Sequence, residues 1–166
     1  MALEMLRFLA GSLAQIRARQ CHAFVPRKRT KEKRDAFMAT NAHHEYAVYL
    51  FQQGFYEDAV KQLDEVLREE ETGERWSDWA TAQFALSHFA EAERGFRRAL
   101  ELNPDLADAA VNFGAMLVSL QRWREAIAML EGVLPKLEPE ARGSVSALAE
   151  QCREQLGAAA QDSSTR

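Results

Sequence analysis

One stretch limits what this chain can fold into more than any other. Residues 76–104 carry two helical stripes of apolar side chains with one polar break between them. Ser87 and His88 form the break, and Pro104 ends the second stripe because proline has no backbone donor. The first stripe contains Trp76, Trp79, Ala80 and Phe84, and the second contains Phe89, Ala92, Phe96, Ala99 and Leu100. The pattern predicts two short helices folded against each other, and such a pair needs stacked copies to bury both faces.

The chain supplies a copy on each side of this stretch. Ala92 has an equivalent in Ala59, 33 residues earlier, and in Ala126, 34 residues later. Around these anchors the neighbouring positions agree in size and chemistry. The small residues Ala47, Ala80 and Gly114 share one position, which suits closely crossing helices, and the bulky residues Leu63, Phe96 and Leu130 share another. The spacing therefore predicts three consecutive helix pairs.

These columns resemble the tetratricopeptide repeat family, whose pattern is Trp-x2-Leu-Gly-x2-Tyr, then Ala-x3-Phe, then Pro over about 34 residues. The second unit matches best, although Trp79 replaces the family leucine and Gln83 the family tyrosine. The matching residues are Trp76, Ala80, Ala92, Phe96, Ala99 and Pro104. The resemblance implies an all-α fold, a right-handed superhelix of antiparallel helix pairs that forms an α-solenoid.

The domain prediction follows from this register. Residues 1–35 are an extension, 36–158 the repeat domain and 159–166 a flexible tail. Repeats span about 40–72, 73–106 and 107–139, and residues 139–157 form a capping helix that ends at Gly157. Within the repeats, the helices are expected near 40–53, 56–70, 74–87, 90–102, 107–121 and 123–136, with breaks at Gly54, Ser87–His88 and Gln121–Arg122. The sequence is also compatible with an earlier start of the first helix, within the basic residues 27–34.

The front of the chain differs in charge from the body. The net charge is −4, yet residues 1–40 hold nine Lys or Arg against three Asp or Glu. Residues 1–20 place Leu6, Leu9, Leu13 and Ile16 on one side of a predicted amphipathic helix, and six of the residues 27–34 are basic. No aromatic side chains alternate with these charges, so a solvated linker is favoured over a specific nucleic-acid site.

Composition indicates a reducing, cytoplasmic location. Cys21 and Cys152 lie far apart without a pairing pattern, and no apolar run reaches the ~18–20 residues of a membrane span. Glu4 and Arg7 interrupt the first apolar segment, which argues against a secretory signal.

No pattern for catalysis or for a cofactor is found. His43 and His44 are adjacent, so on a helix they point about 100° apart and do not chelate one ion. The sequence also has no phosphate loop and no nucleophile elbow. We therefore expect no enzyme activity, no catalytic residue, no metal and no cofactor.

The family resemblance implies a groove lined by the first helix of each repeat. The groove positions are Asn41, His44, Val48, Phe51, Ser77, Thr81, Phe84, Val111, Ala115 and Val118, and Glu74 and Asp108 share the repeat position of Asn41. Family members that grip a C-terminal carboxylate use Lys, Arg and Asn at related positions. Here Val48, Asp78, Asp108 and Asn112 stand at most of them. An acidic tail is therefore a poor ligand, and an apolar or helical peptide segment is expected instead.

The expected function is that of a non-catalytic protein-interaction module, an adaptor, scaffold or chaperone-like binder. One alternative is a membrane-surface tether through the basic amphipathic front, and another is a chaperone similar to those of type III secretion translocators. Besides membrane binding, the N-terminal segment has five interpretations: an extra helix on the repeat body, a homo-oligomer contact, a cleaved organelle-targeting segment, a disordered extension, or occupancy of the groove by Leu6, Leu9 and Leu13.

Overall fold

Helices make up nearly all of the described chain. The computed structural model describes the backbone of residues 31–164 and the side chains of residues 39–158. The helices are α1 (Lys31–Gln52), α2 (Tyr56–Glu69), α3 (Gly73–Ala85), α4 (Phe89–Leu102), α5 (Ala107–Ser119), α6 (Trp123–Val133) and α7 (Pro139–Ser164), with a 3-10 turn at Leu134–Lys136. Residues 31–164 contain no strand, which confirms the all-α prediction. Within this range no helix has the length and apolarity to span a membrane.

One helix end differs from its predicted position. Within the described residues, helix α1 begins at Lys31, which agrees with the earlier start allowed within the basic run. Helix α7 begins at Pro139 as predicted but continues through Gly157 to Ser164, so the predicted end at Gly157 is wrong. A glycine inside a helix costs only ~1 kcal/mol relative to alanine, and the three alanines after Gly157 favour continuation. The predicted N-terminal amphipathic helix and residues 21–30 of the basic linker lie outside the described residues.

The chain divides into two compact units, with the boundary between Leu102 and Asn103. In the first unit, each of the helices α1 to α4 packs on the next one along the chain. Its core contains Ala47 of α1, Leu63 of α2, and Trp79 and Ala82 of α3. Short connections between successive helices fold each pair back on itself.

The second unit contains α5, α6 and α7, with α6 in contact with both of the others. Leu130 of α6 is fully buried and lies against Gly114 of α5, where an added Cβ would stand 2.6 Å from a Leu130 methyl carbon. Val145, Ala149 and Cys152 form the buried side of α7. Arg142, Ser146, Glu150 and Arg153 of the same helix are exposed.

All three predicted breaks between paired helices have the same backbone structure. Gly54, Ser87 and Gln121 occupy equivalent positions and have positive φ angles of 86°, 63° and 57°. At each break, the amide of the following residue donates to a carbonyl five residues earlier, in the bonds Phe55 to Leu50, His88 to Gln83 and Arg122 to Leu117. This arrangement is a Schellman motif, which satisfies carbonyls at the end of the first helix and reverses the chain.

Trp79, which departs from the family leucine, has a pocket of its own. Its indole Nε1 donates a 2.8 Å hydrogen bond to Oδ1 of Asp64 on α2. On the other side, α4 approaches at Gly95, where a Cβ would stand 2.9 Å from Cε3 of Trp79. The Arg94 guanidinium carbon lies 5.7 Å from the ring centroid. A glycine and an aspartate at these positions therefore accommodate the larger ring.

Phe96→Ala should lower the free energy of unfolding by ~3–5 kcal/mol, because the ring is 0% exposed and its removal leaves a cavity. Phe89→Ala on the same helix is the matched control, since Phe89 is 40% exposed and should cost about 1 kcal/mol. Urea unfolding followed by circular dichroism measures both. Equal losses for the two variants would contradict the core assignment.

Gly54→Ala and Gly132→Ala should change stability in opposite directions. No atom lies within 4 Å of a Cβ added at either position, so sterics contribute nothing. Gly54 has a left-handed backbone that costs an alanine ~1–2 kcal/mol, whereas Gly132 lies in α6, where alanine gains ~0.5–1 kcal/mol. Melting temperatures of the two variants test this. A rise in both would mean that the break at Gly54 does not need its positive φ.

Candidate functional site

The groove positions predicted on α1 and α3 belong to the first unit, where these two helices contact each other. We call this surface the α1–α3 face; it consists of Asn41, His44, Val48, Phe51, Ser77, Thr81 and Phe84. The side chains differ in accessibility. Ser77 and Phe84 are buried at 2% and 7% exposure, while Asn41, His44, Val48, Phe51 and Thr81 are half-buried.

A buried arginine fixes one end of the α1–α3 face. Arg75 is only 3% exposed, and its Nη2 donates to Oδ1 of Asn41 at 3.1 Å. Its Nη1 donates to the carboxylate of Glu70 at 2.9 Å and to the Glu70 carbonyl at 3.0 Å. The guanidinium therefore joins α1 to the connection between α2 and α3, and Asn41 is held by this contact.

A histidine and a carboxylate meet at the next turn of the two helices. Nε2 of His44 lies 2.7 Å from Oδ2 of Asp78, and their side chains are 17% and 19% exposed. The contact joins α1 to α3 across 34 residues of sequence. It occupies part of the surface that, in the family pattern, supplies groups for a bound carboxylate.

The other end of the α1–α3 face is aromatic, and the same ring pair closes both helix turns. Phe51 lies 5.2 Å from Tyr56 between ring centroids, and Phe84 lies 6.0 Å from Phe89. Each pair joins the end of a first helix to the start of its partner. Phe51 and Phe84 therefore help to close the helix pairs, and Phe51 has the more accessible ring of the two.

Among the described side chains on and beside the α1–α3 face, acidic groups outnumber basic ones. Glu45 and Glu74 are exposed, and Asp78 carries a third carboxylate. Arg75, the basic residue among these positions, is buried and paired with Glu70. The accessible surface thus combines an apolar strip, formed by Val48 and Phe51, with acidic groups beside it.

The predicted positions on α5 lie in the second unit and are described separately. Val111 and Ala115 are buried at 7% and 3% exposure, and Val118 is half-buried. Asp108 and Asn112 lie on the same helix. They stand at positions where the family resemblance implies Lys, Arg or Asn for binding a C-terminal carboxylate. The role of all ten predicted groove positions in binding stays a prediction.

Chemically reactive groups are scarce in the described part of the chain. No group of three His, Cys, Asp or Glu side chains there could hold a metal ion. Cys152 is free and fully buried, and burial raises the pKa of its thiol. A raised pKa keeps the thiol protonated and unreactive.

Sequence reasoning named Asn41, His44 and Asp78 but not the contacts they make. Arg75 was missed altogether. Both contacts join residues 34 apart in sequence, one more than the 33-residue repeat. Each one therefore links a position in the first repeat to the position after its equivalent in the second, and this offset is the sequence signal that could have indicated them.

Comparison with known proteins gives similarity at the level of structure. No protein-family model matches the sequence, and neither does any curated protein. Among solved structures, the TPR2B domain of yeast Sti1 in a complex with pHsp70 is 20% identical with a TM-score of 0.66, over 71% of this chain and 98% of that chain. The first TPR of Spaghetti (RPAP3), bound to the HSP90 peptide SRMEEVD, is 24% identical with a TM-score of 0.66, over 71% and 93%. The Arabidopsis OM64 TPR domain is 18% identical with a TM-score of 0.64, over 70% and 96%.

Arg75→Ala should lower the free energy of unfolding by ~1–3 kcal/mol, because Asn41 and the Glu70 carbonyl lose a buried donor. Arg97→Ala is the control. That side chain is 58% exposed and its i,i+4 pair with Glu93 is worth at most ~0.5 kcal/mol. Urea denaturation compares them, and an Arg75→Ala loss no larger than that of Arg97→Ala would mean that Arg75 does not hold α1 in place.

Proposed function

We propose that this chain, which has the tetratricopeptide-repeat fold, is a non-catalytic protein-interaction module that binds an apolar or helical peptide segment on its α1–α3 face. The observation that carries the proposal is the accessible apolar strip of Val48 and Phe51 beside acidic side chains. Such a module acts by binding a partner, so no catalytic group is required at the α1–α3 face.

The ligand that fits this chemistry is a cationic amphipathic helix. Its apolar stripe would cover Val48 and Phe51, and its basic groups would lie near Glu45, Glu74 and Asp78. Peptides of this kind are recognised through apolar anchors every three to four residues. Opposite charges across the contact favour correct partners and speed association.

The same features argue against the ligand of one structural neighbour. That neighbour is bound to SRMEEVD, a peptide with three acidic side chains and a C-terminal carboxylate. Here Val48 and Asp78 stand where the family resemblance implies Asn or basic groups, and Asp78 already contacts His44. Bringing further carboxylates close to Asp78 would place like charges together.

A reducing, cytoplasmic location is part of the proposal and is supported by the free, buried Cys152. The membrane-tether and secretion-chaperone alternatives depend on the N-terminal extension, whose first 30 residues lie outside the described range. No contact in the described part favours either one.

Two labelled peptides distinguish the proposed ligand from the neighbour's ligand. Fluorescence anisotropy should detect binding of a lysine–leucine peptide whose leucines recur at three- and four-residue spacing. A scrambled peptide of the same composition controls for charge, and we expect weaker binding because it presents no apolar stripe. SRMEEVD should not bind. Binding of SRMEEVD, or equal binding of the two lysine–leucine peptides, would overturn the proposed ligand class.

Phe51→Ala should weaken the lysine–leucine peptide by about 5- to 30-fold, which corresponds to ~1–2 kcal/mol for an aromatic anchor. Phe55→Ala is the matched control, because this ring is 57% exposed and lies outside the α1–α3 face. Circular dichroism of both variants checks that the helix pair remains folded, since Phe51 packs on Tyr56. Unchanged affinity in folded Phe51→Ala would place the site elsewhere.

A further inference from the structure

Helix α1 has a second apolar surface, on the side away from the α1–α3 face. Tyr46 and Tyr49 are 53% and 55% exposed, and their rings stack with centroids 6.4 Å apart and planes inclined by 18°. Ala42 and Ala39 are exposed one and two turns before Tyr46, at helical spacing. We call Ala39, Ala42, Tyr46 and Tyr49 the outer α1 face.

The next repeat shows what covers the corresponding side of a first helix. The positions 33 residues after Ala42, Tyr46 and Tyr49 are Arg75, Trp79 and Ala82 of α3, which are 3%, 5% and 0% exposed. Trp79 and Ala82 belong to a core cluster with Leu63 of α2, the helix that precedes α3. In this fold, the preceding helix therefore covers this side. Among the described residues, α1 has no helix before it.

We propose that residues 1–20 form an amphipathic helix that packs on the outer α1 face and takes the place that α2 has against α3. The apolar stripe of this segment is Leu6, Leu9, Leu13 and Ile16. Its spacing matches that of Val60, Leu63 and Leu67, which α2 contributes to the cluster around Trp79. The proposal is independent of what the α1–α3 face binds.

The connection between the two segments is long enough. Residues 21–30 can span up to ~33 Å when extended. From Lys31 to Tyr49 is about 27 Å along α1, and a helix from Leu6 to Gln20 is about 21 Å long. An antiparallel placement therefore brings Leu6 and Leu9 close to the level of Tyr46 with slack to spare.

The size of the outer α1 face favours this segment over a second copy of the chain. A fully covered aromatic side chain buries ~150–250 Å², so two half-exposed tyrosines offer only about 200 Å². A stable dimer buries ~800 Å² on each partner. A tethered segment needs less, because its effective concentration is on the order of millimolar.

Tyrosine labelling of the full-length chain tests the proposal. Tyrosines are iodinated under mild conditions and the sites are quantified by mass spectrometry, with the half-buried Tyr56 as internal reference. In Leu9→Asp/Leu13→Asp, labelling of Tyr46 and Tyr49 should rise by about tenfold or more, because two apolar contacts of the segment are replaced by charges. The control is Ala14→Asp/Ala18→Asp, with the same charge and spacing on the opposite side of the segment, and it should label like the unmodified chain.

Each remaining outcome decides the question. Protection that increases with protein concentration would assign the outer α1 face to a second copy and overturn the proposal. So would equal labelling of Tyr46 and Tyr49 in the unmodified chain and in Leu9→Asp/Leu13→Asp. Protection that is independent of concentration and lost in the leucine variant supports it. Lysine–leucine peptide binding measured on the same variants is expected to persist, which separates this proposal from the one for the α1–α3 face.

Discussion

The packing around Trp79 is the constraint on which the first unit depends. Its ring lies in the core with Leu63, its indole donates to Asp64 on α2, and α4 comes close only because Gly95 has no side chain there. Helix α3 is thereby fixed against both neighbours in sequence. Because α3 carries Ser77, Thr81 and Phe84, the same packing sets the position of three of the seven residues of the α1–α3 face. The close approach at Gly95 also shows why a tryptophan at this position needs compensation elsewhere.

The repeated sequence pattern predicted the fold because equivalent core positions of the three repeats are buried in the same way. Leu63, Phe96 and Leu130 share a column and are all essentially unexposed, and all three predicted breaks are left-handed turns. The contacts of the site were not predictable in the same way. The Asn41–Arg75 and His44–Asp78 pairs depend on how two helices face each other, which hydrophobic spacing does not encode. The end of α7 was misplaced for a local reason, since one glycine among alanines does not stop a helix.

Similarity of fold does not by itself imply similarity of ligand. The backbone agrees with domains that include one bound to SRMEEVD, at identities of 18–24%. In this chain, Val48, Asp78, Asp108 and Asn112 stand at positions where the family resemblance implies Lys, Arg or Asn. A carboxylate at Asp78, already in contact with His44, disfavours the anions that Lys, Arg or Asn would attract. The proposed preference for basic or apolar segments therefore follows from residues of this chain and not from its relatives in structure.

Helix α1 connects the two proposals because its two sides meet different requirements. The side that carries His44, Val48 and Phe51 is held by contacts to α3 and α2, so its shape is fixed whether or not a ligand is present. On the side that carries Tyr46 and Tyr49, no described helix gives the cover that α2 gives to α3, and the stacked rings are half-exposed. An N-terminal segment seated on the second side would leave the first side open. Covering the end of the repeat stack and binding a partner would then use separate surfaces of a single helix, so they would not compete for the same residues.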